Sequence, residues 1–194
     1  MDVNILLFSD FETLDVFGPA EILGNIGKYR LRFLSVDGGV VTSRQGVRVV
    51  TTPACEAGAG GVLLVPGGLG ARALVHDEAF LCILREFALA SSYCLAVCTG
   101  SALLAKTGLL DGRRATSNKK AFSWVRSVNE KVLWAACARW VVDGKFYTSS
   151  GVSAGMDMAL GFVCDRFGRQ AAEELAQSIE YVWNDDNEKD FFAG

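Results

Sequence analysis

Short apolar runs of strand length alternate along the chain with stretches whose apolar positions recur at helical spacing. Val3–Phe8 is mostly apolar, as a strand buried on both faces of a parallel sheet should be. The polar turn Ser9-Asp10-Phe11-Glu12 follows, then a short helical segment over Phe17–Ile26. Pro19 suits that helix's first turn, and Gly24 and Gly27 suit its end. Tyr29–Val36 reads as a second strand, which Asp37-Gly38-Gly39 turns into a hairpin ending near Thr52. Gly61–Val65 is another buried strand and runs directly into Pro66-Gly67-Gly68.

Between Glu78 and Ser91, Phe80, Leu81, Leu84, Phe87 and Ala88 trace one face of a helix. Strand Tyr93–Val97 comes next, followed by a helix from Thr99 to about Lys106 that Gly108 closes. Ala121–Val128 reads as helical, Leu133–Ala136 and Arg139–Val142 as strands. Asp143-Gly144 makes a two-residue turn into Lys145–Thr148. Ser153 is placed to N-cap an apolar helix reaching Phe167. A last amphipathic helix carries Ala172, Leu175, Ala176, Ile179, Val182 and Trp183. Strands alternating with helices, with glycine-rich turns at strand ends, predict an α/β fold around a mostly parallel sheet. With no repeat, linker or low-complexity tract, the expectation is one domain over residues 1–194.

Composition narrows the function classes. The formal net charge is −3 and the densest basic feature is the pair Lys119-Lys120, which argues against nucleic acid as a partner. No segment approaches the ~18 apolar residues of a membrane span. The N-terminus, with Asp2 and no basic region, does not read as a signal peptide. Six scattered cysteines without a C-x-x-C pair, and a single histidine, offer no zinc-site pattern. These features predict a reduced, cytoplasmic protein without a metal or a disulfide framework.

In open α/β sheets the site lies beyond the carboxyl ends of the strands. Three strand ends carry suitable sequence: Asp10–Asp15, Pro66–Gly70 and Cys98–Ser101. Cys98 sits at a strand-to-helix corner, where a helix N-terminus would favour its thiolate without help from a base. It is either such a nucleophile or one more small core residue. Pro66-Gly67-Gly68-Leu69-Gly70 could present backbone N–H groups to an anion, or could simply be a tight turn. Composition does not choose among Asp10, Glu12, Asp15 and Glu21, but one buried beside a thiol would have a raised pKa and could shuttle a proton. The single histidine, His76, stands in a surface or capping context just ahead of a helix. A Cys-His dyad is therefore not expected, which counts against protease and glutamine amidotransferase chemistry.

Five segments together resemble the ThiJ/PfpI superfamily, and within it the isocyanide (isonitrile) hydratase branch. They are TLDVFGPAEIL (13–23), LLVPGGLGAR (63–72), LAVCTGSALLAKTGLLDGRRAT (95–116), RWVVDGKFYTSSGVSAGMDMAL (139–160) and IEYVW (179–183). The resemblance implies a flavodoxin-like three-layer sandwich with a cysteine nucleophile elbow, assembled as a homodimer. It implies Cys98 as nucleophile and Asp15 as its acid, with Gly67 and Gly68 at the oxyanion position. It also implies that Thr99, Ser150 and Gly151 border the pocket. Relatives that regulate transcription carry an appended helix-turn-helix domain, for which 194 residues leave no room. Asn118, in RATSNKKAF, stands where relatives often have histidine, so the substrate is expected to differ.

What this implies is a cofactor-free, cysteine-dependent enzyme acting on a small electrophilic molecule, with conversion of an isocyanide to an N-substituted formamide as the leading expectation. In that scheme Asp15 rests protonated. The alternatives are a redox or stress sensor using the same thiol, a ligand-binding relative without turnover, and a glyoxalase or deglycase that the missing histidine disfavours.

Overall fold

The computed structural model describes residues 1–58 and 60–193. Eight strands form one sheet in the order β3-β4-β2-β1-β5-β6-β10-β9. These are β1 (Asp2–Leu6), β2 (Arg30–Ser35), β3 (Gly39–Thr42), β4 (Arg48–Pro53), β5 (Val62–Val65), β6 (Tyr93–Ala96), β9 (Trp140–Asp143) and β10 (Phe146–Ser149). The antiparallel pairs are the edge hairpins β3/β4 and β9/β10; every other pairing is parallel. Two short strands, β7 (Arg114–Ala115) and β8 (Leu133–Trp134), pair apart from this sheet.

Helices cover both faces and give a three-layer α/β fold. One layer holds α1 (Thr13–Gly24), α6 (Ala154–Phe167) and α7 (Arg169–Ser178). The other holds α2 (Ala71–Leu74), α3 (Glu78–Ala90), α4 (Gly100–Lys106) and α5 (Phe122–Val128). The core lies where both faces of the central strands are covered: Val3, Ile5, Leu63, Leu64 and Leu95 are fully buried. That double burial is why these strands read as continuous apolar runs rather than alternating ones.

Register matters for function. Ile5 lies opposite Leu64, Leu64 opposite Leu95, and Ala96 opposite Thr148. The four parallel strands β1, β5, β6 and β10 therefore end nearly level, and their following loops meet on one rim.

Three local expectations are corrected. Helix α1 starts at Thr13, four residues before Phe17, so Pro19 lies inside the helix rather than in its first turn. Lacking an N–H, Pro19 gives the carbonyl of Asp15 no helical partner. Ser153 makes no capping hydrogen bond; its backbone is already helical, and its side chain lines a surface cavity. The last helix stops at Ser178, and Val182 is 91% exposed instead of buried.

The cause of that early stop is a buried carboxylate. Asp157 on α6 accepts hydrogen bonds from Tyr181 Oη (3.0 Å) and the Asn184 N–H (3.0 Å), while its carbonyl accepts from Trp183 Nε1 (3.1 Å). Arg139 Nε donates to the same carboxylate at 2.6 Å, and both side chains are almost wholly buried. This bonding draws residues 179–184 across α6 and out of helical geometry. Glu180 turns the chain with φ of 52°. Among the described residues no helix is long and apolar enough to cross a membrane.

Removing one partner of a buried ion pair strands the other charge, at a cost of about 3–5 kcal/mol. Asp157→Ala should lose that much stability in urea unfolding. It should also open the segment after Ser178 to proteolysis ahead of the sheet.

Candidate active site

Cys98 stands between the end of β6 and the start of α4 with φ of 56°, in the left-handed region that a side chain rarely adopts. The strain, about 1–3 kcal/mol for such a residue, is held by hydrogen bonds on both sides. Its N–H is shared between the carbonyls of Ser149 (3.2 Å) and Ser150 (3.3 Å), and its carbonyl accepts from Ser101 Oγ and Ser117 Oγ, both at 2.9 Å. Gly100 permits the tight turn behind it: a Cβ there would stand 2.4 Å from the Val65 carbonyl oxygen. The backbone N–H and hydroxyl of Thr99 and the side chain of Asn118 face the sulfur.

The second group arrives from β1. Asp15 lies in the first turn of α1 with its side chain fully buried. Its Oδ2 accepts the Gly67 N–H at 2.9 Å. Its Oδ1 has no hydrogen-bond partner, and the Cys98 thiol and the Val152 N–H act on the carboxyl group. Gly67 has to be glycine, because a Cβ would fall 2.5 Å from the Thr99 nitrogen and 3.0 Å from Asp15 Oδ2. The Gly68 N–H is engaged as well, donating to Thr99 Oγ1 at 3.0 Å. In this resting arrangement the two glycine N–H groups hold Asp15 and Thr99 rather than facing an empty anion cradle.

Burial decides the protonation states. Desolvation pushes Asp15 from 3.8 up to about 7; the Gly67 bond opposes this, the negative field of Glu12 adds to it, and the thiol and Val152 N–H oppose it. Cys98 is also raised, first by burial and then by the Asp15 charge, against the weaker pull of the Thr99 and Asn118 donors. Burial and the Asp15 charge thus work against the thiolate that the helix end was expected to favour. Helix α4 has only two turns, and a thiol 6% exposed beside a carboxyl group stays protonated.

Ser150 and Gly151, after β10, complete the rim. Gly151 sits against the Asn118 amide, whose Oδ1 accepts the Ala121 N–H at 3.0 Å and so aims Nδ2 inward. A cavity of about 430 Å³ opens here, lined by Asn118, Lys119, Lys120, Ser150, Gly151, Val152, Ser153 and Phe192. A larger groove of about 630 Å³ lies on the outer side of α5 and holds none of these groups. His76 is exposed at the end of α2, and Asp10 and Glu12 are not buried. Val152, with φ of 51°, and Ser117 are site residues that the sequence reading did not single out. Only the RATSNKKAF segment carried a signal, through Asn118.

The fold and this rim define a three-layer α/β protein with a buried cysteine–carboxyl pair at a strand-to-helix corner. The chain belongs to the DJ-1/PfpI family, whose model matches residues 1–164. It is 32% identical to the isonitrile hydratase of Pseudomonas putida over 94% of this chain and 79% of that protein. It is 28% identical to the HTH-type transcriptional regulator GbdR of Pseudomonas aeruginosa over 92% of this chain, but spans only 48% of that regulator. A ThiJ/PfpI family protein from Pseudomonas syringae superposes with a TM-score of 0.81 at 27% identity, over 93% of this chain and 74% of that one.

The raised Asp15 has a sign for stability. The folded protein binds this proton more tightly than the unfolded chain, so stability is full below about 3.8 and falls as pH rises to about 7. Over that window the loss is on the order of 4 kcal/mol. Asp15→Asn keeps an acceptor for Gly67 and carries no charge. Its melting temperature should exceed the parent's at pH 8, with the gap closing toward pH 4.

Proposed function

We propose that the protein hydrates small isocyanides to N-substituted formamides, using Cys98 as nucleophile and Asp15 as proton carrier. One observation carries the reading: a buried carboxyl group beside a buried thiol, with the chain's single histidine exposed elsewhere. The likeness to an isonitrile hydratase over most of both chains supports it. The substrate is a small molecule, and the catalytic groups needed are the thiol, the carboxyl and water. A homodimer is part of the same reading, with Leu14 and Phe17, exposed on α1, as apolar surface it would cover.

In place of the protonated Asp15 expected from the sequence, the reactive form has Asp15 ionised and the proton on Cys98; Asp15 takes that proton, and the thiolate bonds to the terminal carbon of the isocyanide. Asp15 returns that proton to the same carbon, leaving a thioimidate on Cys98. Water then adds to this carbon. One of its protons reaches the nitrogen through Asp15, and the other returns to sulfur as the carbon–sulfur bond breaks. The sum is isocyanide plus water giving formamide. Gly67 holds Asp15 for these transfers, and Thr99 N–H and Asn118 Nδ2 are the donors placed to meet charge developing next to sulfur. Ser150 and Gly151 wall the substrate. Redox sensing draws less support, because a thiol buried and held protonated is a poor target for peroxide.

An aryl isocyanide supplied to the protein should yield the matching formamide, and Cys98→Ala should yield none above the buffer rate. Product formation unaffected by that substitution would sink the proposal. The reactive form of the pair carries a single proton. The rate at low substrate should therefore climb about tenfold per pH unit below pH ~7 and level off above it. A rate that falls as pH rises through 7 would remove Asp15 from the proton-accepting role.

A further inference from the structure

The match to the family model ends at residue 164, yet one wall of the cavity comes from beyond it. Residues 184–193 form an irregular strap tied down at several points. The Asn187 carbonyl accepts the Arg139 N–H at 2.8 Å, and the Asp190 N–H donates to the Cys137 carbonyl at 2.7 Å. The Asp190 carboxyl is buried 3.9 Å from the Arg139 guanidinium and accepts the Phe192 N–H at 2.8 Å. This turn sets Phe192 at the cavity, with the residue 75% exposed. An aromatic side chain fixed by its backbone and left uncovered is apolar surface awaiting a partner.

The charges around the cavity are one-sided. Its lining includes two lysines and no carboxylate. Lys119 is committed, donating to Thr116 Oγ1 at 2.9 Å and to the Ala138 carbonyl at 2.6 Å. Lys120 is exposed and has neither an ion pair nor a side-chain hydrogen bond among the described residues. The roughly 430 Å³ volume lies within the range of small-molecule sites.

We propose that this cavity receives the substituent of the substrate and selects a ring-sized apolar group bearing a carboxylate. Phe192 covers the ring and Lys120 pairs with the anion. The inference rests on the proposed reaction for its reactive carbon and on the cavity alone for its selectivity. It makes the strap beyond the family-matched segment a specificity element.

Two measurements separate the inference from the reaction. In the first, turnover of an aryl isocyanide bearing a para-carboxylate is compared with that of its para-methyl analogue. The parent protein should favour the carboxylate by about three- to tenfold in kcat/KM, the scale of a partly sheltered ion pair. Lys120→Glu should invert that ratio, and Phe192→Ala should lower kcat/KM for both aryl substrates relative to a small alkyl isocyanide. In the second, benzoate and benzamide are titrated into the protein and followed by NMR, without any chemistry. Benzoate should bind more tightly at low salt, and Lys120→Glu should abolish the difference. If no isocyanide turns over but benzoate is still preferred through Lys120, the reaction fails and the pocket stands. Equal binding of the two probes, binding of neither, or a preference indifferent to Lys120→Glu overturns the inference.

Discussion

Everything at this site depends on keeping one carboxyl group out of water next to one thiol. Asp15 is fully buried, bonded at Oδ2 to the Gly67 N–H and unpartnered at Oδ1, with the Cys98 thiol and the Val152 N–H acting on the group. Three loops must meet for this to happen, one after each of β1, β5 and β6. The sheet order makes those strands neighbours, and their register ends them level. The loop after β5 must also come close enough for its backbone to touch both other loops. A side chain at position 67 or 100 would hold them apart.

The arrangement is costly, and the rest of the molecule bears the cost. Burying Asp15, bending Cys98 into left-handed geometry and stranding Oδ1 are each unfavourable locally. They persist because the strands carrying them are fixed by a core of fully buried Ile5, Leu63, Leu64 and Leu95. Burying a side chain of that size contributes about 1.5–3 kcal/mol, so a few of them outweigh the site's local penalties. The second buried polar centre, Arg139 with Asp157, does different work. It shapes the chain end, and Arg139 reaches from Asp157 on α6 to Asp190 on the strap.

Much of the fold was legible because double burial leaves a plain mark. Val3–Phe8, Gly61–Val65 and Tyr93–Val97 are uninterrupted enough to be read as parallel strands, and the polar turn after the first and the glycines after the other two announce the rim. The errors arose where long-range contacts overrule local pattern. Apolar spacing carries the last helix through Trp183, but the bonds to Asp157 end it at Ser178. The corner position of Cys98 was readable. Its protonation state was not, because nothing near it in sequence reveals that Asp15 sits beside it or that both lie away from solvent. Asp15 itself was selected among four acids by resemblance rather than by spacing. Ser117 and Val152 lie within segments whose resemblance pointed to other residues, and Phe192 comes from a segment with no local signature.

The absence of an imidazole at this corner constrains the chemistry more than the presence of the thiol does. A cysteine with histidine can rest as an ion pair, ready to attack a carbonyl and to protonate an amine leaving group. With a carboxyl partner raised to about 7, the resting proton stays on sulfur and leaves it only as attack proceeds. Such a pair suits a substrate whose attacked atom also accepts the proton, so that charge never has to be separated across the site. The terminal carbon of an isocyanide meets that requirement, since it takes sulfur and then hydrogen from groups on the same rim. A peptide bond asks more, because its nitrogen must be protonated while the carbon–nitrogen bond breaks, whereas the isocyanide's carbon–nitrogen bond stays intact. In the proposed reaction the buried pair would thus serve a substrate small enough for its terminal carbon and the adjoining nitrogen to lie within reach of both Cys98 and Asp15.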